Sequence, residues 1–495
     1  MTLGEMLAGT GVLTPLAPEL TAAPVAGLDY DSRRVCEGWL FFAFAGARVD
    51  GRRFAEDALE RGALAVVSES PAPEGLESRW LRVEHGRRAL AVAARTFYGR
   101  PDERIRLTGI TGTNGKTTTA YLVDSVLRAA GHTTAMIGTI EYRLAGRVLP
   151  AVNTTPESLD LMRLFDELER SGGSHATMEV SSHALALGRV FGLWFHTAIF
   201  TNLTRDHLDY HGTMEEYFAA KQLLFTGAGA PPPAFAVVNR DDEPARQLPL
   251  AASSEVLWYG LGPDATLRAR QISSGFQGLR FEVQYRKQRF PVSSPLTGKI
   301  NVYNILAAVG AGLSYGMDPE VVTRGIALCA AVPGRFERVD EGQPFVVAVD
   351  YAHTDDALRN VIAVARGLSP KRVITLFGCG GDRDRAKRPL MGRAAGEASD
   401  FVVLTSDNPR SEDPLDIIND ALVGLRRTDT PHVVEPDRAA AIARAIREAG
   451  PGDIVIIAGK GHEPYQILKD ETIHFDDRET ARELLRSFGY RREQA

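Results

Sequence analysis

Short apolar runs bounded by polar and glycine-rich punctuation recur along the chain. They alternate with segments whose apolar residues return every three or four positions. Residues 1 to about 100 carry strand-like runs at Trp39 to Ala43 and Ala63 to Val67 and helical patterns at Arg53 to Arg61 and Arg88 to Tyr98, which predicts a small α/β domain. Gly99, Arg100 and Pro101 then break the pattern, because proline biases its neighbour away from helix. From about 102 to 333, strands at Ile105 to Ile110, Ala176 to Val180, Thr197 to Thr201 and Phe235 to Asn239 alternate with helices such as Pro156 to Ser171. That rhythm predicts a parallel sheet wound with helices, with ligands gathering at the carboxyl ends of its strands. Thr266 to Ser293 departs from it, and the alternating FEVQYRKQRFPV segment predicts an antiparallel insert before a helix resumes near Ile300. Val332, Pro333 and Gly334 form a second hinge candidate. Beyond it, strands at Phe345 to Asp350, Arg372 to Phe377, Phe401 to Thr405 and Asp453 to Ala458 alternate with helices at Asp355 to Arg366, Pro414 to Leu425 and Arg438 to Glu448. A second doubly wound α/β domain is expected there.

One stretch organises the rest. IRLTGITGTNGKTTTAYLVDSVL, Ile105 to Leu127, reads as a buried strand, a glycine-rich turn and the start of a helix. Gly112 and Gly115 let the backbone curl so that several N–H groups face one point, Lys116 supplies a cation, and Thr117 supplies a hydroxyl that can hold Mg²⁺. The spacing departs from the ordinary G-x-x-x-x-G-K-S/T pattern, since Ile110 stands where its first glycine would be. This is a variant phosphate loop.

Composition narrows the setting. The 495 residues suit about three domains, and a 44% apolar share is ample for large cores. A net charge of -6 gives no reason to expect nucleic acid or an acidic membrane as partner. Cys36, Cys329 and Cys379 are few and widely separated, which argues against a disulfide framework or a zinc site and for a reducing compartment. MTLGEMLAGTGVL lacks a basic n-region, and no apolar run is long enough to span a bilayer, so a soluble cytoplasmic protein is expected.

Further polar constellations stand at predicted strand ends. In MEVSSHA, Glu179 would face the phosphate loop and could hold Mg²⁺, although a lone glutamate is more often solvated. FTNLTRDHLDYHG carries Asp206, His207, Asp209 and His211, a set that reads equally as metal ligands or as solvated loop and cap residues. Lys221 follows on an otherwise apolar helix face, where most lysines snorkel to water. Asp31, Ser32 and Arg33 read as a capped turn or as a site.

Taken in order, GTNGKTTT, NTTP (Asn153 to Pro156), MEVSSH, TNLTRDHLDYHG with Lys221, NVYN (Asn301 to Asn304), PGRFE (Pro333 to Glu337) and DYAHT (Asp350 to Thr354) resemble the signature of the Mur ligase superfamily. With DSR near the start and SDNPR and GKGHE near the end, the likeness spans nearly the whole chain and is similar to the members that add meso-diaminopimelate. The resemblance implies three domains. Residues 1–101 would be an N-terminal α/β domain for a UDP-sugar, 102–333 a central P-loop parallel-sheet ATPase domain with an antiparallel insert, and 334–495 a Rossmann-like domain for an amino acid. It also implies a cytoplasmic monomer that extends UDP-N-acetylmuramoyl-L-alanyl-D-glutamate through an acyl phosphate in peptidoglycan synthesis, using ATP as co-substrate and Mg²⁺.

Residue by residue, the family pattern implies that Gly112, Thr113, Asn114, Gly115, Lys116, Thr117, Thr118, Asn301 and Asn304 meet ATP, with Arg335, Asp350 and His353 joining from beyond the hinge. Thr117 and Glu179 would hold one Mg²⁺, and His207 with a carbamylated Lys221 a second, so Lys116, Lys221, His207 and Glu179 carry the catalysis. Ser32, Asn153, Thr154, Thr155, Ser181 and Arg189 would contact the UDP-sugar peptide. Arg383, Asp407, Asn408, Pro409, Arg410, Gly459 and Glu463 would form the meso-diaminopimelate pocket, with Arg410 on the far carboxylate and Glu463 receiving an ammonium. Departures from the pattern are Asp355 for a proline, Leu187 for a polar contact and Ile300 for a phenylalanine. A lysine-adding relative, a folylpolyglutamate synthase and a non-catalytic nucleotide-binding module are the competing readings.

Overall fold

The computed structural model describes residues 1–46, 49–275 and 277–491. Three sheets divide the chain. The first is parallel, with strands Gly27–Asp29, Trp39–Phe42, Ala65–Ser68 and Trp80–Arg82 in sequence order. Helix Gly86–Phe97 covers one face, and its alanine and leucine side, Ala89, Leu90, Ala93 and Ala94, is buried.

The central sheet has eleven strands. Its parallel heart runs in the spatial order Glu255–Gly260, Phe235–Asn239, Thr197–Phe200, Arg106–Thr111, His175–Glu179, Thr134–Ile137. These strands are apolar on both sides because helices cover both faces, as a wound parallel sheet requires. The expected antiparallel insert is present as Leu267–Gly275, Gly278–Tyr285 and Gln288–Ser294 along one edge. The other edge carries a hairpin that the sequence pattern did not announce, Glu141–Leu144 and Arg147–Pro150. Helix Lys299–Ser314, apolar nearly all round, fills the space between sheet and helix Lys116–Ala129.

The third sheet has six strands in the order Glu337–Val339, Val346–Asp350, Ile454–Ala458, Val373–Phe377, Phe401–Leu404, His432–Val434; all but the first are parallel. The three helices expected after the hinge occur at Asp355–Arg366, Pro414–Leu425 and Arg438–Glu448.

The first two units are clasped together by polar contacts from helix Ser158–Arg170. The fully buried Asp29 carboxylate accepts from Arg34 at 2.7 Å and from Arg163 at 2.8 Å, Tyr30 donates to Asp160, and Glu157 lies between Arg87 and Arg189. Ser32, buried beside that clasp, opens a 3-10 turn capped by Asp31, as the capped-turn reading of the DSR segment expects.

Candidate active site

Strand Arg106–Thr111 lies between His175–Glu179 and Thr197–Phe200 in parallel register. Parallel neighbours end on the same edge, so Glu179 and the Thr201–His211 loop flank the glycine turn that follows Thr111. Gly112, with φ 140°, and Gly115, with φ 88°, have no room for a side chain: a Cβ would overlap Thr201 Oγ1 in one case and Asn304 Oδ1 in the other. Two lysines converge on this turn. Lys116 Nζ donates to the carbonyls of Gly112 at 3.0 Å and Thr113 at 2.9 Å, while Lys221 Nζ donates to the same Gly112 carbonyl at 2.8 Å.

Lys221 does not snorkel to water; it is 1% exposed, with its Nζ 4.4 Å from the Tyr217 ring centroid. Burial, then the neighbouring Lys116 charge, hold its pKa well below that of an ordinary lysine. Glu179, also buried, accepts from Thr117 Oγ1 at 3.1 Å, Thr139 Oγ1 at 3.1 Å and Thr139 N at 2.9 Å. It is not the solvated carboxylate that an isolated glutamate usually is. A hydroxyl and a carboxylate at this distance are the hard oxygen donors that Mg²⁺ prefers.

The loop after Phe200 separates its four candidates. His207, with φ 54°, sits with Nε2 3.4 Å from Asp206, its ring edge-on to His183, and burial keeps it neutral. Asp209 is exposed, and His211 turns away to Ser182 Oγ at 2.9 Å. Among the described residues no group of three or more His, Cys, Asp or Glu side chains is gathered as a metal would need.

The nucleotide candidates meet across the second hinge. A cleft is lined by Asn114, Gly115, Thr118, Asn301 and Asn304 on one side and by Arg335 and Asp350 on the other. Ile300, which stands where the family pattern has a phenylalanine, lines it too. Arg335 Nη2 donates to Thr117 Oγ1 at 3.1 Å, and Asn114 Nδ2 donates to Asp356 at 2.6 Å. Arg335 Nε is buried with no acceptor, an orphan donor that an anionic ligand would satisfy. Asp350 accepts from the backbone N–H groups of Phe336 and Ala352, and burial raises its pKa against the pull of Arg335. His353, kept neutral by burial, bonds through Nδ1 to the Tyr351 carbonyl.

On the other flank of Glu179, Thr155 ties the third group together. Its hydroxyl donates to the Glu179 carbonyl at 2.8 Å and accepts from Ser181 N at 3.1 Å, and Arg189 Nη1 donates to the Thr155 carbonyl at 2.9 Å. Thr154 Oγ1 is 3.1 Å from Thr139 Oγ1, and the Asn153 carbonyl accepts from Tyr142 OH. Leu187 ends helix Ser182–Leu187 beside this group, half-buried.

The last group lies at the carboxyl ends of Phe401–Leu404 and Ile454–Ala458. Asn408 Nδ2 donates to Glu463 Oε2 at 2.9 Å. Arg410, also in the left-handed region with φ 54°, donates to the Gly381 carbonyl at 2.7 Å, and burial followed by the nearby Arg383 charge lowers its pKa. Among the described residues neither guanidinium makes an ion pair. Gly459, with φ 116°, lets the chain pass close to Asp407. Capping does not account for this loop, because Asp413 caps helix Pro414–Leu425, accepting from Leu415 N at 2.7 Å.

Comparison with known proteins decides what this arrangement belongs to. Sequence profiles described as Mur ligase family, catalytic domain, Mur ligase middle domain and Mur ligase, glutamate ligase domain match residues 24–98, 110–312 and 334–461. The chain is 74% identical over 494 residues, the full length of both, to the UDP-N-acetylmuramoyl-L-alanyl-D-glutamate--2,6-diaminopimelate ligase of Solibacter usitatus. It is 47% identical to the protein of the same name from Geobacillus thermodenitrificans, over 92% of this chain and 94% of that one. A solved structure of a protein with that name superposes with a TM-score of 0.69 at 33% identity, covering 99% of each chain. The chain is a Mur ligase.

Within this Mur ligase, sequence reasoning overlooked several side chains that complete the groups. Thr139 and Tyr217 brace Glu179 and Lys221, His183 faces His207, and Tyr351 links Arg335 to Glu463. Lys460, inside GKGHE, is fully buried, which its sequence does not signal because lysine is ordinarily a surface residue. The Mur ligase departure at Asp355 is confined to a helix start, where Thr354 caps and an acidic first turn suits the helix dipole.

Proposed function

We propose that this Mur ligase joins meso-diaminopimelate to the γ-carboxyl of D-Glu in UDP-N-acetylmuramoyl-L-alanyl-D-glutamate, converting ATP to ADP and phosphate. The observation that carries this reading is that Arg383 and Arg410 lie against the same Gly380 and, among the described residues, make no ion pair, beside the carboxylate of Glu463. An amino acid with a carboxylate and an ammonium on its far carbon matches that pattern. Lysine has only the ammonium there and would leave Arg410 unpaired. Residues 1–101 serve the UDP-sugar, 102–333 ATP and 334–495 the amino acid; Ser32, Asn153, Thr154, Thr155, Ser181 and Arg189 face the nucleotide peptide.

In the first step a γ-carboxylate oxygen attacks the γ-phosphorus of ATP, the β–γ bridging bond breaks, and ADP leaves an acyl phosphate. In the second an amine nitrogen attacks the acyl carbon, the carbon–oxygen bond to phosphate breaks, and the nitrogen gives up its proton. No protein nucleophile is needed. Lys116 and Arg335 neutralise charge on the transferring phosphoryl group, while Asn301, Asn304, Asp350 and His353 hold the nucleotide. Thr117 and Glu179 have the oxygen donors to hold Mg²⁺, which when bound screens the phosphate charge. Lys221, buried and with its pKa held well below that of an ordinary lysine, loses its proton and combines with CO₂ to form a carbamate, releasing a second proton; with His207 it then offers oxygen and nitrogen donors for a second Mg²⁺. The protein works as a monomer in the cytoplasm, in peptidoglycan synthesis and hence in cell wall biogenesis, cell shape and division. In support, no described helix is long and apolar enough to cross a membrane.

The test is a panel of amino acids incubated with UDP-N-acetylmuramoyl-L-Ala-D-Glu, ATP and Mg²⁺ and read by product mass. Product with meso-diaminopimelate and little or none with lysine is expected; equal use of lysine would overturn the reading.

A further inference from the structure

Lys460 is a lysine with no exposed surface, and neither charge neutralisation at the phosphate loop nor packing explains it. Its Nζ donates to Asn408 Oδ1 at 3.1 Å and lies 3.5 Å from Glu463 Oε2 and 5.5 Å from the Tyr465 ring centroid. Asn408 Nδ2 donates to that same Glu463 oxygen at 2.9 Å, which closes a triangle of ammonium, carboxamide and carboxylate. The triangle fixes the amide. Asn408 Oδ1 also accepts from Ile467 N at 3.0 Å, so turning the carboxamide over would set its NH₂ against two donors at once. It also fixes the carboxylate, since Glu463 Oε2 is fully engaged while Oε1 has only Tyr351 OH, at 3.4 Å.

Glu463 stands where ionisation is opposed. Burial and then Asp407 raise its pKa, and Lys460 and the Asn408 hydrogen bond are what lower it. The other charged or titratable groups facing it are Arg410, Arg438, Tyr351 and Tyr465. Arg438 is committed elsewhere, to a buried bidentate pair with Asp477, and Arg410 is turned to the Gly381 carbonyl. Lys460 is thus the cation whose geometry is dedicated to Glu463.

We propose that Lys460 is a positioning residue for the amino-acid site, acting through Asn408 and Glu463 to hold an ionised carboxylate aimed at the ammonium of the same carbon whose carboxylate meets Arg410. This rests on the functional reading above and extends it. The site then recognises one zwitterionic centre with a paired anion and cation, and Lys460 keeps the anionic half charged.

Two variants separate this from a packing role. Lys460→Gln keeps a donor for Asn408 but removes the charge; Lys460→Arg keeps the charge. For Lys460→Gln we expect KM for meso-diaminopimelate to rise about 10- to 100-fold, with KM for ATP and for the UDP-sugar peptide within about twofold of wild type. The acid limb of kcat/KM for meso-diaminopimelate should move up by about one pH unit. Lys460→Arg should return the limb towards its wild-type position. 2-Aminopimelate, which lacks the far ammonium, should be used equally poorly by wild type and Lys460→Gln. The proposal is overturned if Lys460→Gln lowers turnover of both amino acids in parallel with an unmoved acid limb and a lower melting temperature, or if Lys460→Arg shifts the limb as Gln does. A wild type that ignores meso-diaminopimelate would instead overturn the functional reading on which it stands.

Discussion

A guanidinium held next to another guanidinium is there for an anion. Arg410 adopts a left-handed backbone conformation that most side chains avoid, and the neighbouring loop places Arg383 against it despite their mutual repulsion. Removing one partner of a buried charge pair costs about 2 to 5 kcal/mol, roughly 30-fold to several thousandfold in affinity. Arg410→Ala should therefore lose meso-diaminopimelate activity by a factor in that range and narrow the preference over lysine, while isothermal titration finds ATP bound as before. An unchanged preference would remove Arg410 from the pocket. At Lys221 the expected outcome is different in kind: Lys221→Ala should be nearly inactive, and millimolar short carboxylic acids should restore part of the rate by supplying the missing oxygens. Full activity without any additive would sink the carbamate. Motif residues such as these were legible in sequence because each carries a chemistry that its position would not otherwise need. Lys460 was not, since only the folded chain shows that a lysine in the last tenth of the sequence is sealed between two loops.

At the scale of elements, strand Arg106–Thr111, its turn and helix Lys116–Ala129 make one unit that carries Lys116, the cation proposed to meet phosphate. Lys116→Ala should abolish acyl phosphate formation, trapped as a hydroxamate, by about 2.7–4 kcal/mol, on the order of 10²- to 10³-fold, with the circular dichroism spectrum preserved. Near-normal trapping would show that Arg335 suffices. Elements with strong periodicity were read from sequence nearly to the residue, as with Phe235–Asn239 and Asp355–Arg366. Two that the pattern does not announce lack a local signal. The Glu141–Pro150 hairpin turns on Ala145 and Gly146, both at positive φ, where an Asn-Gly or Asp-Gly pair would have announced it. Helix Lys387–Ala398 contains a proline and two glycines and looks like a loop; it is helical because Gly392 lets it pack directly on the backbone of helix Pro414–Leu425.

For the whole molecule, the cleft proposed for the nucleotide has one wall on each side of the second hinge, so the proposed arrangement requires the last domain to be closed. X-ray scattering should show a smaller radius of gyration with ATP analogue and UDP-sugar peptide together than with either alone; identical radii in all states would count against closure. Stability should also fall in acid. His175, His183 and His196 are pushed down to about 4 and His462 to about 3, chiefly by burial, so between pH 6.5 and 4 the unfolded chain takes up protons that the folded one refuses. Asp242, raised to about 6 by burial, acts in the opposite sense and offsets one of them. The depressed histidines favour proton uptake on unfolding near pH 5, so a melting temperature that drops from pH 7 to 5 is expected; a flat profile would contradict it. Three α/β layers were readable in advance from the alternation of strands and helices. How they are fastened was not, because the clasp joins residues far apart in sequence. Arg163 follows the Asp29 it neutralises by 134 residues. A ribosome adding roughly 5–20 residues per second needs about 7 to 27 s to supply it. Through that interval the nascent chain can offer the Asp29 carboxylate only one of its two arginine partners. Translation order thus leaves the buried carboxylate of the first domain half-paired until the second supplies helix Ser158–Arg170.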